Sequence, residues 1–236
     1  AFLAAVMVVA TAACAVDPAS ERNRADHGNS KMQDKIDADT RARRVEELEL
    51  AIQDYDMAIQ LDPNDAMAYA NRGIAYDELG EDQLAIHDFD KAIQLNPNYT
   101  KAYFERGDAY DKLGELELVI QDFGDVIRLD PSDVRAYYKR GAAYSGLGQY
   151  QRAVQDYDKV IQLYPKYADT YNNRGAAYSG LGQYQRAIQD YDKAIQMWAP
   201  KASYYNNRSV AYRKMGKDAE ADADKDEACL RDAQYC

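Results

Sequence analysis

Apolar residues recur at spacings of three and four along most of this chain, beginning at Val45. The first such run predicts an amphipathic helix that buries one stripe of its surface. Its apolar positions are Leu48, Ala51, Ile52, Tyr55, Ala58 and Ile59. Asp62 and Pro63 end this helix, because proline has no amide hydrogen to donate and disfavours helix in the residue before it. No glycine turn precedes the run, so we interpret residues 45–65 as the second helix of a pair whose first helix is degenerate.

The helical pattern then repeats with a period of 34 residues. The copies are most alike in the middle of the chain, where residues 140–162 differ from residues 174–196 only at Val154 and Val160. A period of this length predicts supersecondary units that stack on their neighbours. The glycines that keep the period are Gly80, Gly114, Gly148, Gly182 and Gly216, and the prolines are Pro63, Pro97, Pro131 and Pro165.

Each period predicts two helices joined at its glycine. In residues 66–99 the first helix covers Ala66–Leu79, Gly80 supplies a left-handed turn, and the second helix covers about Asp82–Leu95. The same plan gives four full repeats, at 66–99, 100–133, 134–167 and 168–201. Residues 202–236 form a fifth, capping repeat and a tail, because their second helix is strongly polar and suits a solvent-facing end.

The residues at the fixed positions resemble those of the tetratricopeptide repeat. In that family an aromatic, a small and a second aromatic residue mark the first helix, alanine, an aromatic and alanine mark the second, and proline closes the unit. The resemblance implies an all-α fold, a right-handed α-solenoid of stacked antiparallel helix pairs. The matching residues of 66–99 are Tyr69, Gly73, Tyr76, Ala85, Phe89, Ala92 and Pro97. Those of 168–201 are Tyr171, Gly175, Tyr178, Ala187, Tyr191 and Ala194, with Pro200 displaced by one residue.

The chain departs from the family pattern at one recurring position. Where many family members carry leucine before the small residue, this sequence has arginine, and an aspartate follows each arginine 16 residues later. We expect a bidentate ion pair between the two helices of each repeat, which sets register more than it adds stability. The predicted pairs are Arg72–Asp88, Arg106–Asp122, Arg140–Asp156, Arg174–Asp190 and Arg208–Asp224.

Residues 100–133 are predicted to be the weakest unit. Val119 replaces the small alanine at the close contact between the two helices. Gly124 lies inside a predicted helix, where glycine costs about 1 kcal/mol relative to alanine. If any unit frays, we expect it to be this one.

Residues 1–16 form a continuous apolar run in an otherwise polar chain. The run is shorter than the roughly 20 residues of a membrane-spanning helix and fits the hydrophobic region of a signal peptide, or an anchor. Ala12, Ala13 and Cys14 resemble the end of a bacterial lipoprotein signal, in which the cysteine becomes lipidated. We therefore expect export to the bacterial periplasm or cell envelope, with membrane contact through residues 1–16 or a lipid on Cys14. Another secretory compartment is the alternative.

Residues 17–44 are polar and lack apolar periodicity. They predict a tether that becomes helical from about Lys31. At the other end of the chain, Cys229 and Cys236 are able to form a disulfide if the protein is exported. Seven residues of helix span roughly 10 Å, which is too far for that bond, so the tail has to fold back.

Charge and motif content narrow the classes of function. The formal net charge is −11 and no basic stripe is present, which argues against nucleic acid as a partner. The sequence contains no nucleophile, zinc-ligand or nucleotide-binding motif. Its paired aspartates, such as Asp156 and Asp158, recur from repeat to repeat and so indicate scaffold. We expect no catalytic residues, no metal site and no cofactor.

The family resemblance implies that a partner binds on the concave face, which the first helices line. Phe104 and Tyr138 are the aromatic residues that packing explains least, so they are candidate anchors for an extended peptide or a helix. We expect a non-enzymatic protein–protein interaction scaffold that is held at a membrane or envelope by its N-terminus. The alternative is a structural or accessory subunit of a larger assembly, as a homo- or hetero-oligomer. The candidate binding residues are Lys101, Phe104, Asp108, Asp111, Arg135, Tyr138, Asn172, Asn206 and Arg213.

Overall fold

A computed structural model of the 236-residue chain describes residues 18–197 and 200–236. Residues 1–16, including Cys14, lie outside the described residues, so the signal, the anchor and the lipidation stay predictions. The chain divides into two compact units, Ala1–Leu50 and Ala51–Cys236. All regular structure in the two described ranges is helical.

Helix α1 (Pro18–Leu61) is followed by helix pairs that stack along the second unit. The pairs are α2 (Ala66–Glu78) with α3 (Asp82–Leu95), α4 (Thr100–Leu113) with α5 (Leu116–Leu129), α6 (Val134–Gly146) with α7 (Tyr150–Leu163), α8 (Ala168–Gly180) with α9 (Tyr184–Gln196), and α10 (Ala202–Lys214) with α11 (Asp218–Arg231). Each second helix packs on the first helix of the next pair. First helices also touch one another, as α6 touches α8, so they share one face of the stack. The predicted all-α fold of stacked helix pairs is confirmed.

Helix α1 begins earlier than the sequence pattern predicts. The prediction gave a polar tether at residues 17–44 that becomes helical from about Lys31, followed by a helix within residues 45–65, whereas α1 runs unbroken from Pro18 to Leu61. Apolar periodicity starts only at Val45, so an amphipathic stripe does not reveal the charged part of the helix. Proline is favourable at the first position of a helix, and no further proline occurs before Pro63. Nothing in the sequence therefore stops the helix between these two residues.

Glycine is required inside several first helices because two helices approach closely there. A Cβ atom on Gly73 would lie 2.8 Å from the Phe89 ring, and one on Gly175 would lie 2.7 Å from the Tyr191 ring. Both rings are buried. The small residue of the first helix and the aromatic residue of the second are therefore complementary, which is the packing role that the repeat pattern predicts.

Each helix pair reverses direction at a glycine with positive φ, as the sequence predicts. The φ angles lie between 70° and 81°, a region that L-residues with a side chain adopt only with strain. The five positions are Gly80, Gly114, Gly148, Gly182 and Gly216.

All five predicted Arg–Asp pairs are present. In the first pair, Arg72 Nε donates to Asp88 Oδ2 at 2.6 Å and Arg72 Nη2 donates to Asp88 Oδ1 at 2.7 Å. The other four pairs repeat this bidentate geometry at distances of 2.6–2.8 Å. The hydrogen bond to Asp88 raises the pKa of the Arg72 guanidinium, and Asp88 itself is buried. Each pair therefore holds the two helices of one repeat in a fixed register.

Most of these arginines also bind a second carboxylate, which the sequence analysis did not predict. Arg72 Nη1 donates to Asp56, which lies on the helix before the pair that contains Arg72. We call an arginine with its two aspartates an arginine clamp. Each clamp joins three helices and so ties one helix pair to the helix before it. The other complete clamps add Asp90 to Arg106, Asp158 to Arg174 and Asp192 to Arg208.

The series of clamps is interrupted in the middle of the chain. The position that corresponds to Asp90 and Asp158 is Gly124 in α5. Among the described residues, Asp156 is therefore the only carboxylate that Arg140 binds, through Nε and Nη2. A Cβ atom on Gly124 would lie 3.7 Å from Arg140 Nη1, which is ordinary van der Waals contact. The junction between α5 and α6 therefore lacks the second carboxylate.

The hydrophobic core accommodates Val119, the other unusual residue of this repeat. Val119 is buried in a cluster with Tyr103, Phe123 and Val126. The expectation that residues 100–133 form the weakest unit stays a prediction, and Gly124 is the residue that supports it.

The tail folds back on the last helix, as the predicted disulfide requires. Helix α11 ends at Arg231, and a 3₁₀ helix over Ala233–Tyr235 reverses the chain. The Cα atoms of Cys229 and Cys236 lie 4.7 Å apart and their sulfur atoms are bonded. Tyr235 packs against the end of the last repeat, beside Ala202 and Ala228. The bond thus fixes the tail over the final helix pair.

Replacement of Gly124 by aspartate should complete the fifth clamp and raise the free energy of unfolding. Asparagine is the matched control, because it has the same size and a similar helix propensity but no charge. We expect Gly124→Asp to exceed Gly124→Asn by about 1 kcal/mol, the usual contribution of a charge-assisted hydrogen bond at a partly exposed site. Urea unfolding followed by circular dichroism measures the difference. Equal stabilities would mean that this junction gains nothing from a second carboxylate.

The two carboxylates of one clamp should contribute unequally to stability. Arg174 binds Asp190, whose side chain is 7% exposed, and Asp158, whose side chain is 53% exposed. Asp190→Ala leaves the partly buried guanidinium without its bidentate partner, so the free energy of unfolding should fall by about 3 kcal/mol. Asp158→Ala should lower it by less than about 1 kcal/mol, because an exposed ion pair is weak. Equal losses for the two variants in urea unfolding would contradict this assignment.

Candidate partner-binding site

Two adjoining clefts open between α4 and α6, one beside the connector that follows α7 and the other beside the connector that follows α5. We call the first the aromatic cleft, and its volume is about 390 Å³. The second, the polar cleft, has a volume of about 440 Å³. The aromatic cleft is lined by Phe104, Val134, Arg135, Tyr138, Lys139, Tyr164 and Tyr167. The polar cleft is lined by Thr100, Lys101, Phe104, Glu105, Asp130, Asp133 and Arg135.

Rings of the buried core support the rings of the aromatic cleft. Phe104 packs edge-to-face on Phe123 with the ring centroids 5.2 Å apart. Tyr138 lies 6.0 Å from the buried Tyr157 and 5.4 Å from Tyr167, measured between ring centroids. Such edge and tilted contacts hold aromatic side chains in defined orientations. Phe104 and Tyr138 therefore pack against core rings that lie beneath the cleft.

Tyr164 and Tyr167 stand where other connectors carry residues that stabilise the turn. Asp62, Asn96 and Asp130 each accept a hydrogen bond from the backbone amide two residues later, at 2.9–3.1 Å. Tyr164 replaces this residue in the connector after α7 and is unable to form the same bond. Tyr164 is 55% exposed, and Tyr167 is 37% exposed. This connector thus presents two rings to solvent in place of a turn-stabilising side chain.

Tyr167 also takes the place of a helix cap. The equivalent Asp65 and Asp133 accept hydrogen bonds from the first backbone amides of α2 and α6, whereas Tyr167 makes no side-chain cap to α8, as the equivalent Tyr99 makes none to α4. Loss of such a cap costs about 1 kcal/mol. Two substitutions in one connector therefore replace stabilising groups with exposed aromatic surface.

A stacked arginine separates the two clefts. The Arg135 guanidinium lies 4.4 Å from the centroid of the Phe104 ring and forms an ion pair with Asp133 at 2.9 Å. The hydrogen bond to Asp133 raises the pKa of Arg135. A cation held over an aromatic face in this way is able to bind an incoming carboxylate through its free edge.

Lys139 closes the rim of the aromatic cleft. Its Nζ atom lies 3.0 Å from Asp108 Oδ1 and 3.6 Å from Asp111 Oδ2. In the polar cleft, burial raises the pKa of Glu105, and the charge of Asp108 raises it further. The two clefts together offer apolar rings, cations and carboxylates within one surface.

A chain of side-chain amides fixes Tyr138 from the opposite side. Asn173 Nδ2 donates to the Tyr138 hydroxyl at 2.8 Å, and Asn172 Nδ2 donates to Asn173 Oδ1 at 3.2 Å. Asn207 Nδ2 donates to Asn172 Oδ1 at 3.0 Å. Burial raises the pKa of Tyr138, so its hydroxyl stays neutral well above neutral pH. The amide chain orients Tyr138, and the Asn172 amide is itself buried.

The structure brings together only part of the predicted site. Lys101, Phe104, Arg135 and Tyr138 line the two clefts, and Asp108 and Asp111 contact Lys139 at the rim. Three predicted residues lie on later helices: Asn172 is buried, Asn206 accepts a hydrogen bond from Lys225 at 3.4 Å, and Arg213 pairs with Asp222 at 2.6 Å. A binding role for these residues stays a prediction.

Four residues of the aromatic cleft were not predicted from the sequence, namely Val134, Lys139, Tyr164 and Tyr167. Inward-turning positions of the first helices gave the predicted site, whereas the two tyrosines lie in a connector. A signal was present in the sequence, because Tyr164-Pro165-Lys166-Tyr167 replaces Asp130-Pro131-Ser132-Asp133 of the preceding repeat. A comparison of connectors as well as helices would have found it.

No group of three or more histidine, cysteine, aspartate or glutamate side chains in residues 18–197 and 200–236 is arranged to hold a metal ion. None of the helices in the same ranges combines the length and the apolar character needed to cross a membrane.

Family models match the chain without a gap from residue 46 to residue 198. Models described as tetratricopeptide repeat match residues 66–99, 134–167 and 168–198 and residues 89–121. A model described as TPR repeat matches residues 46–80 and 107–148. No match was found among curated protein sequences.

Solved structures with the same fold agree with the family models. A MamA protein is 25% identical, with a TM-score of 0.67, over 72% of this chain and 92% of its own. YrrB, whose structure is described as that of a TPR protein with an unusual peptide-binding site, is 19% identical, with a TM-score of 0.68, over 76% of this chain and 92% of its own. A tetratricopeptide repeat protein from Parabacteroides merdae is 22% identical, with a TM-score of 0.66, over 80% of each chain. The last two show similarity of fold alone.

Buried tyrosines in the core predict a loss of stability in alkali. Burial raises the pKa of Tyr157 and of Tyr191 to about 12. An unfolded tyrosine ionises near pH 10, so the contribution of these groups to stability is complete below about pH 10 and is lost as the pH rises toward 12. Helix content measured by circular dichroism should therefore fall across this interval.

Tyrosine-to-phenylalanine variants test whether the buried tyrosines cause the loss of stability in alkali. Phe89 and Phe123 occupy the equivalent positions of two other repeats, so the fold accepts phenylalanine there. The double variant Tyr157→Phe/Tyr191→Phe should raise the alkaline midpoint by roughly half a pH unit. Tyr164→Phe, which removes an exposed hydroxyl, is the control and should leave the midpoint unchanged. An unchanged midpoint in the double variant would contradict the assignment.

Proposed function

Because this chain belongs to the tetratricopeptide repeat family, we propose that it is a non-enzymatic scaffold that binds a protein or peptide partner at the aromatic cleft. The proposal depends on one observation, the exposure of Tyr164 and Tyr167 in one connector, where Tyr164 replaces a turn-stabilising residue of the other connectors. Aromatic side chains that are rigidly held and exposed are the commonest anchors of protein interfaces.

The lining of the clefts indicates what kind of partner segment fits. An apolar or aromatic side chain of the partner would enter between Tyr138, Tyr164 and Tyr167. A carboxylate close to it in the partner would reach the outer edge of Arg135, whose inner face is stacked on Phe104. An extended peptide or one face of a helix can present both groups. We infer a partner segment that combines an apolar anchor with an acidic neighbour.

Attachment to a membrane or envelope is a further part of the proposal. The apolar run of residues 1–16 and the lipoprotein-like position of Cys14 support export with retention at a membrane. The Cys229–Cys236 disulfide supports an oxidising compartment, since such bonds persist mainly outside the cytosol. In this proposal the scaffold displays its clefts from the bacterial envelope or a comparable secretory compartment.

A structural role in a larger assembly is the second candidate. In the second unit, Leu61 and Met67 expose 88% and 60% of their surface, which leaves apolar area for another subunit. Light scattering of a variant that lacks residues 1–44 separates the two candidates. A monodisperse monomer favours the scaffold, and oligomers that grow with concentration favour the assembly subunit.

Exchange of the connector residues should weaken partner binding without loss of stability. The double variant Tyr164→Asp/Tyr167→Asp copies the connector of the preceding repeat, which carries Asp130 and Asp133. It restores a turn bond and a helix cap, so the melting temperature should stay equal or rise. Binding of peptides selected from a random library by the unaltered protein should weaken at least tenfold, on the order expected for the loss of an interface anchor. Isothermal titration calorimetry measures both affinities.

The same connector supplies the control. Lys166→Ser copies Ser132 of the preceding repeat but leaves both rings in place, so it should bind the selected peptides with nearly unchanged affinity. Failure to select any peptide would count against the proposal, and so would undiminished binding by the double variant.

A further inference from the structure

The four complete arginine clamps show what the guanidinium group accepts at this position of the fold. In each clamp the Nε and Nη2 edge binds the aspartate of the same repeat, and Nη1 binds an aspartate of the preceding second helix. Every group that occupies the Nη1 position in these clamps is a carboxylate. In every complete clamp, the aspartate that binds Nη1 precedes the arginine by 16 residues.

The equivalent position beside Arg140 is open. Gly124 contributes no side chain there, and none of the described residues accepts a hydrogen bond from Arg140 Nη1. The side chain of Arg140 is 21% exposed, compared with 14–18% for the arginines of the complete clamps. A hydrogen-bond donor that carries positive charge therefore faces a gap at Gly124, at the junction between α5 and α6.

The gap can be reached from solvent. The carboxylates that fill the equivalent position in the complete clamps belong to Asp56, Asp90, Asp158 and Asp192, and their side chains are 39–53% exposed. A group from outside the chain is thus able to approach Arg140 Nη1 along the route that these side chains occupy elsewhere.

We propose that the gap between Gly124 and Arg140 binds a carboxylate that comes from outside this chain and completes the fifth clamp. The bound group would donate no hydrogen bond and would accept one from Arg140 Nη1, while Asp156 keeps the opposite edge of the guanidinium. The resulting set of one guanidinium and two carboxylates is the set that the same chain already holds at its four complete clamps. The site combines Gly124 of α5, Arg140 of α6 and Asp156 of α7, and none of these three residues lines the aromatic cleft.

The geometry favours a single negative charge on a small group. Asp156 already neutralises Arg140, so a dianion such as phosphate would add more repulsion than one guanidinium edge offsets. The rings of Tyr137 and Tyr144 lie 5.8 Å from the Arg140 guanidinium and restrict its movement. A planar carboxylate matches the free guanidinium edge in shape and charge.

Titration of the full-length protein with acetate tests the proposal. The backbone amide of Gly124 and the Nε–H group of Arg140 are observed by ¹⁵N-correlated NMR at constant ionic strength. We expect saturable shifts of both signals, with half-saturation on the order of 10–100 mM, the affinity that one charge-assisted hydrogen bond supports. Acetamide, which has the same shape without the charge, should produce no saturable shift. The absence of a saturable response to acetate would overturn the proposal.

Two variants show whether acetate occupies the gap itself. Gly124→Asp fills the position from within the chain, so the Arg140 Nε–H signal should no longer respond to acetate. Arg140→Lys keeps the charge but removes the planar edge, so the response of the Gly124 amide should weaken at least fivefold. An equal response in the unaltered protein and Gly124→Asp would mean that acetate binds elsewhere, and this too would overturn the proposal.

The source of the carboxylate is distinguished by a second titrant. The blocked peptide acetyl-Gly-Asp-Gly-amide carries the same group on a polypeptide. Tighter binding than acetate at the same two signals supports an aspartate or glutamate of a partner protein. Equal or weaker binding by the peptide, with acetate still saturable, supports a free small carboxylate.

Discussion

Successive helix pairs of this protein are joined by arginine side chains. Each guanidinium group needs one carboxylate from its own pair and one from the preceding helix to complete its hydrogen bonds. Arg72, Arg106, Arg174 and Arg208 each bind one carboxylate within their own pair and one on the helix before it. A buried ion pair adds little net stability relative to apolar packing, but leaving one partner unpaired is strongly unfavourable. The clamps therefore discriminate against other registers more than they strengthen the correct one. The packing of aromatic rings on small residues, as in Phe89 on Gly73, can then proceed at a defined offset.

The clamps show which contacts were predicted from the repeat pattern and which were not. Each Arg–Asp pair within a repeat was predictable from a spacing of 16 residues. The same spacing in the opposite direction leads from Arg72 to Asp56, yet that contact was missed because each repeat was considered as a closed unit. For the same reason Gly124 was predicted only to weaken a helix. In a stacked fold the interactions between repeats recur as regularly as those within them, and a search in both directions recovers them.

The candidate site was predictable where it lies on helices and unpredictable where it depends on connectors and on side-chain packing. Phe104 and Tyr138 follow from helical periodicity, since they turn toward the same face at equivalent positions of consecutive repeats. Tyr164 and Tyr167 have no helical phase. The amide chain through Asn172 depends on contacts between three helices that no local pattern specifies. The early start of α1 at Pro18 was hidden for a related reason, because a helix without an apolar stripe has no periodic signal.

The composition of the clamps gives the molecule an uneven electrostatic character. Each complete clamp contains one more aspartate than arginine, so an excess negative charge recurs at intervals of one repeat and forms part of the net charge of −11. Neighbouring excess charges are separated by about the thickness of a helix pair, roughly 10 Å, which is close to the Debye length at physiological ionic strength. Their mutual repulsion is therefore only partly screened in a cell and increases on dilution of the salt. At Gly124 the second aspartate is missing, so the Arg140 pair carries no excess negative charge. This neutral pair separates the two excess charges before it from the two after it.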